Sequence, residues 1–138
     1  MTTSSHLTSR RLSEHERIGH TAGLFGIRYL WVESYAFDTA SSLCPEYDGG
    51  LWDFYVISNG GFYIVPAEGA AFQVVCANGF EGKLSAEAFG ITVCLYAYSL
   101  LSFSPDADFA EKCATHYHLL RHYMLSHSEA PRILAAID

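Results

Sequence analysis

Apolar residues recur at helical spacing in several parts of the chain, and this pattern predicts four helices. The predicted helices cover 24–43, 85–103, about 106–124 and 131–137. Ser85 can cap the second of these at its N-terminus, and Pro131 can begin the last. Because the second helix is apolar nearly all round, we expect it to lie in the middle of the fold.

Three runs rich in aromatic and β-branched residues predict strands at 51–58, 62–66 and 72–77. The sequence Asn59-Gly60-Gly61 joins the first two runs and is typical of a hairpin turn. The third run follows a loop that begins at Pro66. A sheet this small needs helices to cover one face. The chain is therefore predicted to be an α+β protein with a small three-stranded antiparallel sheet (meander) packed by about four helices.

The first sixteen residues are rich in Ser, Thr and charge and have no periodicity, so we predict a flexible N-terminal arm over 1–16. A chain of 138 residues fits one hydrophobic core, and 17–138 are predicted to form a single domain. The beginning of the chain has no apolar segment typical of a secretory signal. No run approaches the ~20 apolar residues of a membrane span. We expect a cytoplasmic protein.

The net charge is −7, which disfavours direct binding to duplex DNA. The charge is unevenly distributed: residues 33–111 contain eleven acids and one base, Lys83. The other bases lie before and after that segment. This polarity is consistent with a basic protein partner, although a solubilising surface explains it equally well.

Two groups of residues could carry chemistry, and each has a simpler explanation. His116, His118 and His122, with Cys113, have spacing that could ligate a metal on one helix. No H-E-x-x-H motif accompanies them, so the pattern is more typical of surface and packing histidines. The four cysteines include no Cys-x-x-Cys pair, and we expect neither a disulfide nor a zinc site.

Glu46, Asp48 and Asp53 surround a glycine pair and could serve a small hydrolase or nuclease as general acid and base. The same residues are typical of a turn that leads into a strand. No nucleophile-elbow motif or phosphate-binding glycine loop is present in the sequence. We therefore expect no enzymatic activity and no cofactor.

Longer segments of the chain indicate a particular family more specifically than these short patterns do. EYDGGLWDFYVISNGGFYIVP, NGFEGKLSAEAFGI and the terminal AAID closely resemble the ArdB/KlcA antirestriction family, in the order and spacing of that family. The resemblance runs from about Leu24 to Asp138. It implies a compact α+β protein of a mobile genetic element, such as a plasmid or phage, without a catalytic site.

The resemblance also implies a function, namely relief of type I restriction-modification of incoming plasmid or phage DNA. We expect it to act by binding a protein, either the type I restriction complex or a factor on which that complex depends, and not by DNA mimicry. The alternatives are the hydrolase or nuclease above and a regulatory or immunity protein of a mobile-element operon. The residues predicted to contact a partner are Asp48, Asp53, Glu87 and Asp138.

Overall fold

Helices and two small sheets make up the computed structural model, which describes residues 6–138. The strands in this part of the chain are β1 (Ser9–Arg11), β2 (Trp52–Ile57), β3 (Phe62–Pro66), β4 (Ala71–Val75) and β5 (Glu81–Ser85). The α-helices are α1 (Glu14–Phe25), α2 (Tyr29–Leu43), α3 (Ala86–Leu101), α4 (Ala107–Met124) and α5 (Ala130–Ile137). The predicted α+β class is confirmed, and the last three helices lie where the sequence pattern placed them.

The sheets differ from the predicted meander in which strands they contain. The order of the three-stranded sheet is β1-β2-β3, and β4 pairs with β5 in a separate antiparallel hairpin. The predicted hairpin of β2 and β3 is confirmed, with Phe54 opposite Ile64. The predicted third strand, 72–77, is not part of that sheet, because β4 pairs with β5 and places Gln73 opposite Lys83.

The free edge of β3 is covered by one face of α3, which explains why no further strand pairs there. Two residues four apart on α3 contact backbone polar groups at this edge. The Ile64 N–H lies 3.4 Å from the Cys94 sulfur, and the Tyr98 hydroxyl donates to the Phe62 carbonyl at 2.7 Å. One turn earlier is Gly90, where a Cβ would lie 2.2 Å from the Ile64 carbonyl oxygen. The helix therefore seals a sheet edge that would otherwise present unpaired backbone groups.

The N-terminal residues contribute to the fold, so the prediction of an arm over 1–16 is wrong from Ser9 onward. β1 is an edge strand that pairs with β2, and Leu12 after it is buried. Backbone pairing at a sheet edge requires no alternation of hydrophobic and polar residues, so the polar sequence of β1 did not predict a strand. α1 begins before the predicted domain boundary at residue 17, and the Glu16 carboxylate accepts the Ser13 N–H at 2.9 Å. Residues 1–5 of the predicted arm lie outside the described residues.

The single helix predicted over 24–43 is divided in two. α1 ends at Phe25 and is capped by Gly26, which has a φ of 64°, a conformation that glycine adopts readily. A short 3-10 segment (Gly26–Arg28) follows and leads into α2. The change of direction allows α1 and α2 to pack against each other, and it leaves a groove between them.

The core is continuous between the helices and both sheets. Phe89 of α3 is fully buried and stacks on Phe72 of β4, with ring centroids 4.5 Å apart, so it joins the β4–β5 hairpin to the central helix. Trp52 of β2 packs beside the same ring. All four cysteines are free and buried. Within residues 6–138, no helix is both long enough and apolar enough to cross a membrane.

Candidate functional site

Glu87, in the first turn of α3, is the centre of a partly buried network of hydrogen bonds. One carboxylate oxygen accepts the Tyr63 hydroxyl proton at 2.8 Å, and the other lies 2.9 Å from Nε2 of His127. Tyr63 belongs to β3, and His127 belongs to the loop between α4 and α5. Burial and the adjacent carboxylate raise the pKa of Tyr63 well above its ordinary value, so this phenol remains a proton donor.

The network extends to the N-terminal strand. The Ser9 hydroxyl of β1 lies 3.1 Å from the hydroxyls of both Tyr63 and Tyr123. The rings of Tyr55, Tyr63 and Tyr123 are stacked, with centroids 5.2 Å and 5.7 Å apart in the two successive pairs. The polar and stacking contacts together connect β1, β2, β3, α3 and α4 at one place.

A second carboxylate completes the arrangement. Glu129, before α5, accepts the Ser85 backbone N–H at 3.0 Å and also accepts the Ser85 hydroxyl. Burial opposes ionisation of Glu129, but the hydrogen bonds from Ser85 outweigh it and lower the pKa of this carboxyl. Ser85 also caps α3 as predicted, because its hydroxyl accepts the Ala88 N–H at 3.2 Å.

The hydrogen bonds of this network hold neighbouring elements of the fold together. Nδ1 of His127 accepts the Glu129 N–H at 2.9 Å, so in the neutral imidazole the proton is on Nε2 and is donated to Glu87. Both ring nitrogens are therefore engaged within the protein, and the Ser85 hydroxyl is engaged with Glu129. The polar contacts of the network therefore connect β3, the start of α3 and the α4–α5 loop.

The predicted contact residue Asp53 lies elsewhere, in an ion-pair cluster. Its carboxylate lies 3.3 Å from an Arg11 nitrogen and 3.5 Å from an Arg17 nitrogen. The Arg17 guanidinium also lies over the Phe54 ring, 4.6 Å from its centroid. Arg11 and Arg17, which lie outside the acidic segment 33–111, thus pair with one of its acids, Asp53.

Glu46 and Asp48 line a cleft of about 320 Å³ between the α2–β2 loop and the β3–β4 loop. A third acid, Glu68, lines the same cleft, and Phe72 forms part of its wall. The structure thus brings together Glu46, Asp48 and Glu68. Asp53, which the hydrolase alternative requires, is not among the lining residues. No local sequence pattern links Glu68 to Glu46 and Asp48, since Glu68 lies on a separate loop.

We expect the triple variant Glu46→Gln, Asp48→Asn and Asp53→Asn to retain restriction-relieving activity within a few-fold of the parent. The first two acids are exposed on a loop, and surface ion pairs such as those of Asp53 contribute only about 0–1 kcal/mol each. Plating of an unmodified phage on a restricting host measures the activity. Loss of activity in a triple variant that melts like the parent would support a catalytic or contact role for these acids.

Asp138 ends the chain beside a well-satisfied helix terminus. The carbonyls at the end of α5 accept hydrogen bonds from the Asn78 side chain, 2.9 Å from the Ala135 oxygen, and from the Tyr96 hydroxyl, which bonds to Ala136. Arg132 does not compensate Asp138, because it donates to the Lys83 carbonyl at 2.8 Å. The exposed side-chain carboxylate of Asp138 has no hydrogen-bond or ion-pair partner among residues 6–138.

The histidines of α4 face in different directions. His116 and Cys113 are buried in the core, whereas His118 and His122 are exposed to solvent. The ring of His116 packs against Phe25, with centroids 4.8 Å apart. The four residues considered as metal ligands therefore do not converge on one point.

The sequence of this chain is similar to those of known antirestriction proteins. A family model described as antirestriction protein matches residues 45–138. An Escherichia coli antirestriction protein KlcA is 37% identical over 97% of this chain and 95% of its own length. The uncharacterised protein YafX of Escherichia coli K12 is 36% identical over 96% of this chain and 88% of its own length.

Similarity to a solved structure extends over the whole chain. A chain from the structures of KlcA and ArdB aligns with a TM-score of 0.90 and 33% identity, covering 100% of this chain and 99% of that one. Those proteins are described as having a novel fold and antirestriction activity against type I DNA restriction systems in vivo but not in vitro. The fold thus defines a small α+β protein of the KlcA and ArdB type. The chain belongs to the antirestriction protein family.

Proposed function

We propose that this protein relieves type I restriction of incoming DNA by binding a protein, either the restriction complex or a factor on which the complex depends. The observation that carries the proposal is the likeness to the KlcA and ArdB structures over the entire chain. The activity described for those proteins appears in vivo and not in vitro, which favours a mechanism that needs a cellular component beyond the purified enzyme.

The charge arrangement argues against DNA mimicry. A 138-residue globule is roughly 37 Å across, and duplex DNA of that length carries about 22 charges at one per ~1.7 Å. The chain has fifteen acids in all. Arg11 and Arg17 neutralise Asp53, and Arg28 lies 2.6 Å from Asp106. The field on any one face therefore falls well short of that of a duplex.

The four acids predicted as partner contacts differ in how far they are available for that role. Asp53 and Glu87 are engaged with arginines and with His127, respectively. Asp48 and Asp138 are exposed, and their carboxylates have no such partners among the described residues. We therefore retain Asp138 as a proposed contact, and Asp48 as a contact at the edge of the interface whose neutralisation changes activity by no more than a few-fold. We assign Asp53 and Glu87 to stabilising the structure of the surface.

The proposal predicts that purified protein in excess over DNA will not displace DNA from a purified type I enzyme, whereas its expression in cells will relieve restriction. An electrophoretic or fluorescence competition assay at several salt concentrations measures the first part. Stoichiometric, salt-sensitive displacement would contradict the proposal and would identify the acidic segment as the inhibitory surface.

A further inference from the structure

Large apolar side chains are exposed mainly around α2. In the described part of the chain, seven of the ten exposed large apolar side chains form what we term the α2 face. Its members are Ile18, Ile27, Leu30, Trp31, Tyr35, Leu100 and Phe103. Three of them are exceptionally accessible, with exposed fractions of 82% for Ile18, 84% for Ile27 and 83% for Phe103. None of the contacts described above uses this face.

The α2 face is concave on both sides of the helix. A groove of about 480 Å³ lies between α1 and α2, lined by Ile18, Ile27 and Leu30. A second groove of about 490 Å³ lies between α2 and the end of α3, lined by Trp31 and Phe103 among others. Leu30 and Trp31 are adjacent on α2, so the two grooves lie on either side of that helix.

The apolar residues of this face cluster, which distinguishes them from the other exposed apolar residues. Single exposed apolar side chains are common on proteins, whereas apolar side chains that cluster around grooves are typical of an interaction site. Leaving this much apolar surface in water is costly, which favours a partner that covers it.

The borders of the face indicate the charge of that partner. Glu14 and Glu33 line the first groove. The base in that groove, Arg17, is held by Asp53 and the Phe54 ring. Arg28, beside Trp31, is paired with Asp106 at 2.6 Å. Glu33 accepts the Tyr29 hydroxyl at 3.1 Å, but neither rim acid is paired with a base among residues 6–138, whereas these bases are neutralised. A second copy of the chain would bring like charges together.

We propose that the α2 face binds an amphipathic helix of a partner protein, with Lys or Arg beside its apolar stripe. The assignment rests on the proposed function, since it identifies the surface through which restriction would be relieved. A helix with apolar residues at i, i+3, i+4 and i+7 suits an apolar groove. Its basic residues would pair with the Glu14 and Glu33 carboxylates.

The first test uses defined peptides and purified protein. The probe is a synthetic Leu/Lys amphipathic helix, and a Leu/Glu peptide with the same apolar pattern is its control. We expect the Lys peptide to bind and to shift the fluorescence of Trp31, and the Glu peptide to bind at least about tenfold more weakly. Equal binding of the two peptides would overturn the charge assignment.

Variants locate the binding surface. Ile27→Ser with Leu30→Ser should weaken binding of the Lys peptide about tenfold or more. The matched control, Leu51→Ser with Leu125→Ser, changes exposed apolar residues elsewhere and should bind like the parent. Equal loss in the control, or no loss in the first variant, would overturn the proposal. A concentration-dependent dimer that the first variant abolishes would assign the face to a second copy and would also overturn it.

The same variants in cells separate this inference from the proposed function. If the parent relieves restriction, the Ile27/Leu30 variant should lose relief while accumulating as folded protein, and the Leu51/Leu125 control should keep it. Full relief by the Ile27/Leu30 variant would remove the α2 face from the mechanism and leave the proposed function intact. If the parent itself gives no relief, the proposed function fails, and the peptide measurements alone decide whether the face binds a basic helix.

Discussion

Replacing Gly90 with Ala is expected to abolish or severely reduce folding. The added Cβ would lie 2.2 Å from the Ile64 carbonyl oxygen and 2.9 Å from the Val65 Cα, both backbone atoms of β3. α3 would have to move away from the sheet edge, which would weaken the Cys94 and Tyr98 contacts. Overpacking of this kind costs typically 1–3 kcal/mol and more where backbone must shift, and a domain has only about 5–15 kcal/mol in total.

Chemical denaturation of purified protein measures this effect, with soluble yield as a second readout. The matched control is Gly19→Ala in α1, where a Cβ would meet no atom within 4 Å. Because alanine is the better helix former, the control should be neutral or more stable by roughly 0.5–1 kcal/mol. A Gly90→Ala protein as stable as the parent would contradict the close approach of α3 to β3.

Lowering the pH should destabilise the protein through His116. Burial, and secondarily the nearby His20, lowers the pKa of His116 from 6.5 to about 4. Between these values the unfolded chain takes up a proton that the folded chain excludes, so the free energy of unfolding falls as the pH falls. The loss approaches about 3 kcal/mol by pH 4 and vanishes above pH 6.5.

The measurement is the difference in unfolding free energy between pH 7 and pH 4.5 for the parent and for His116→Leu. The variant should lose much of this dependence. At pH 7, removal of the buried His116 Nδ1, which has no hydrogen-bond partner among residues 6–138, offsets part of the packing change. The control His122→Leu alters an exposed histidine and should retain the parental dependence. Identical pH dependence in the parent and His116→Leu would refute this account.

Much of the fold could be predicted from residues that are close together in sequence. The hairpin turn at Asn59, the Ser85 cap and the apolar α3 are local signals, and each of these elements is present. β1 and β5 could not be predicted in the same way. They are short, polar strands whose pairing is determined by a partner strand rather than by their own periodicity. The start of α1 did have a local signal, the Ser13-x-x-Glu16 capping box.

Less of the candidate site than of the fold could be predicted from the sequence. Glu87 was predicted as a contact residue, but its partners Tyr63 and His127 are separated from it by 24 and 40 residues. No spacing rule connects such residues, and they meet only because β3, α3 and the α4–α5 loop converge. The α2 face was equally hidden, since the sequence pattern predicted one helix over 24–43 and did not show that the helix is divided at Gly26.

The most direct test of the proposed function is the plating efficiency of an unmodified phage on isogenic hosts with and without a type I restriction system. The protein is expressed in both hosts, and Gly90→Ala serves as a variant that is not expected to fold. We predict that the parent raises plating on the restricting host towards that on the non-restricting host and leaves the latter unchanged. No increase on the restricting host, while folded protein accumulates, would contradict the assignment of antirestriction activity to this chain.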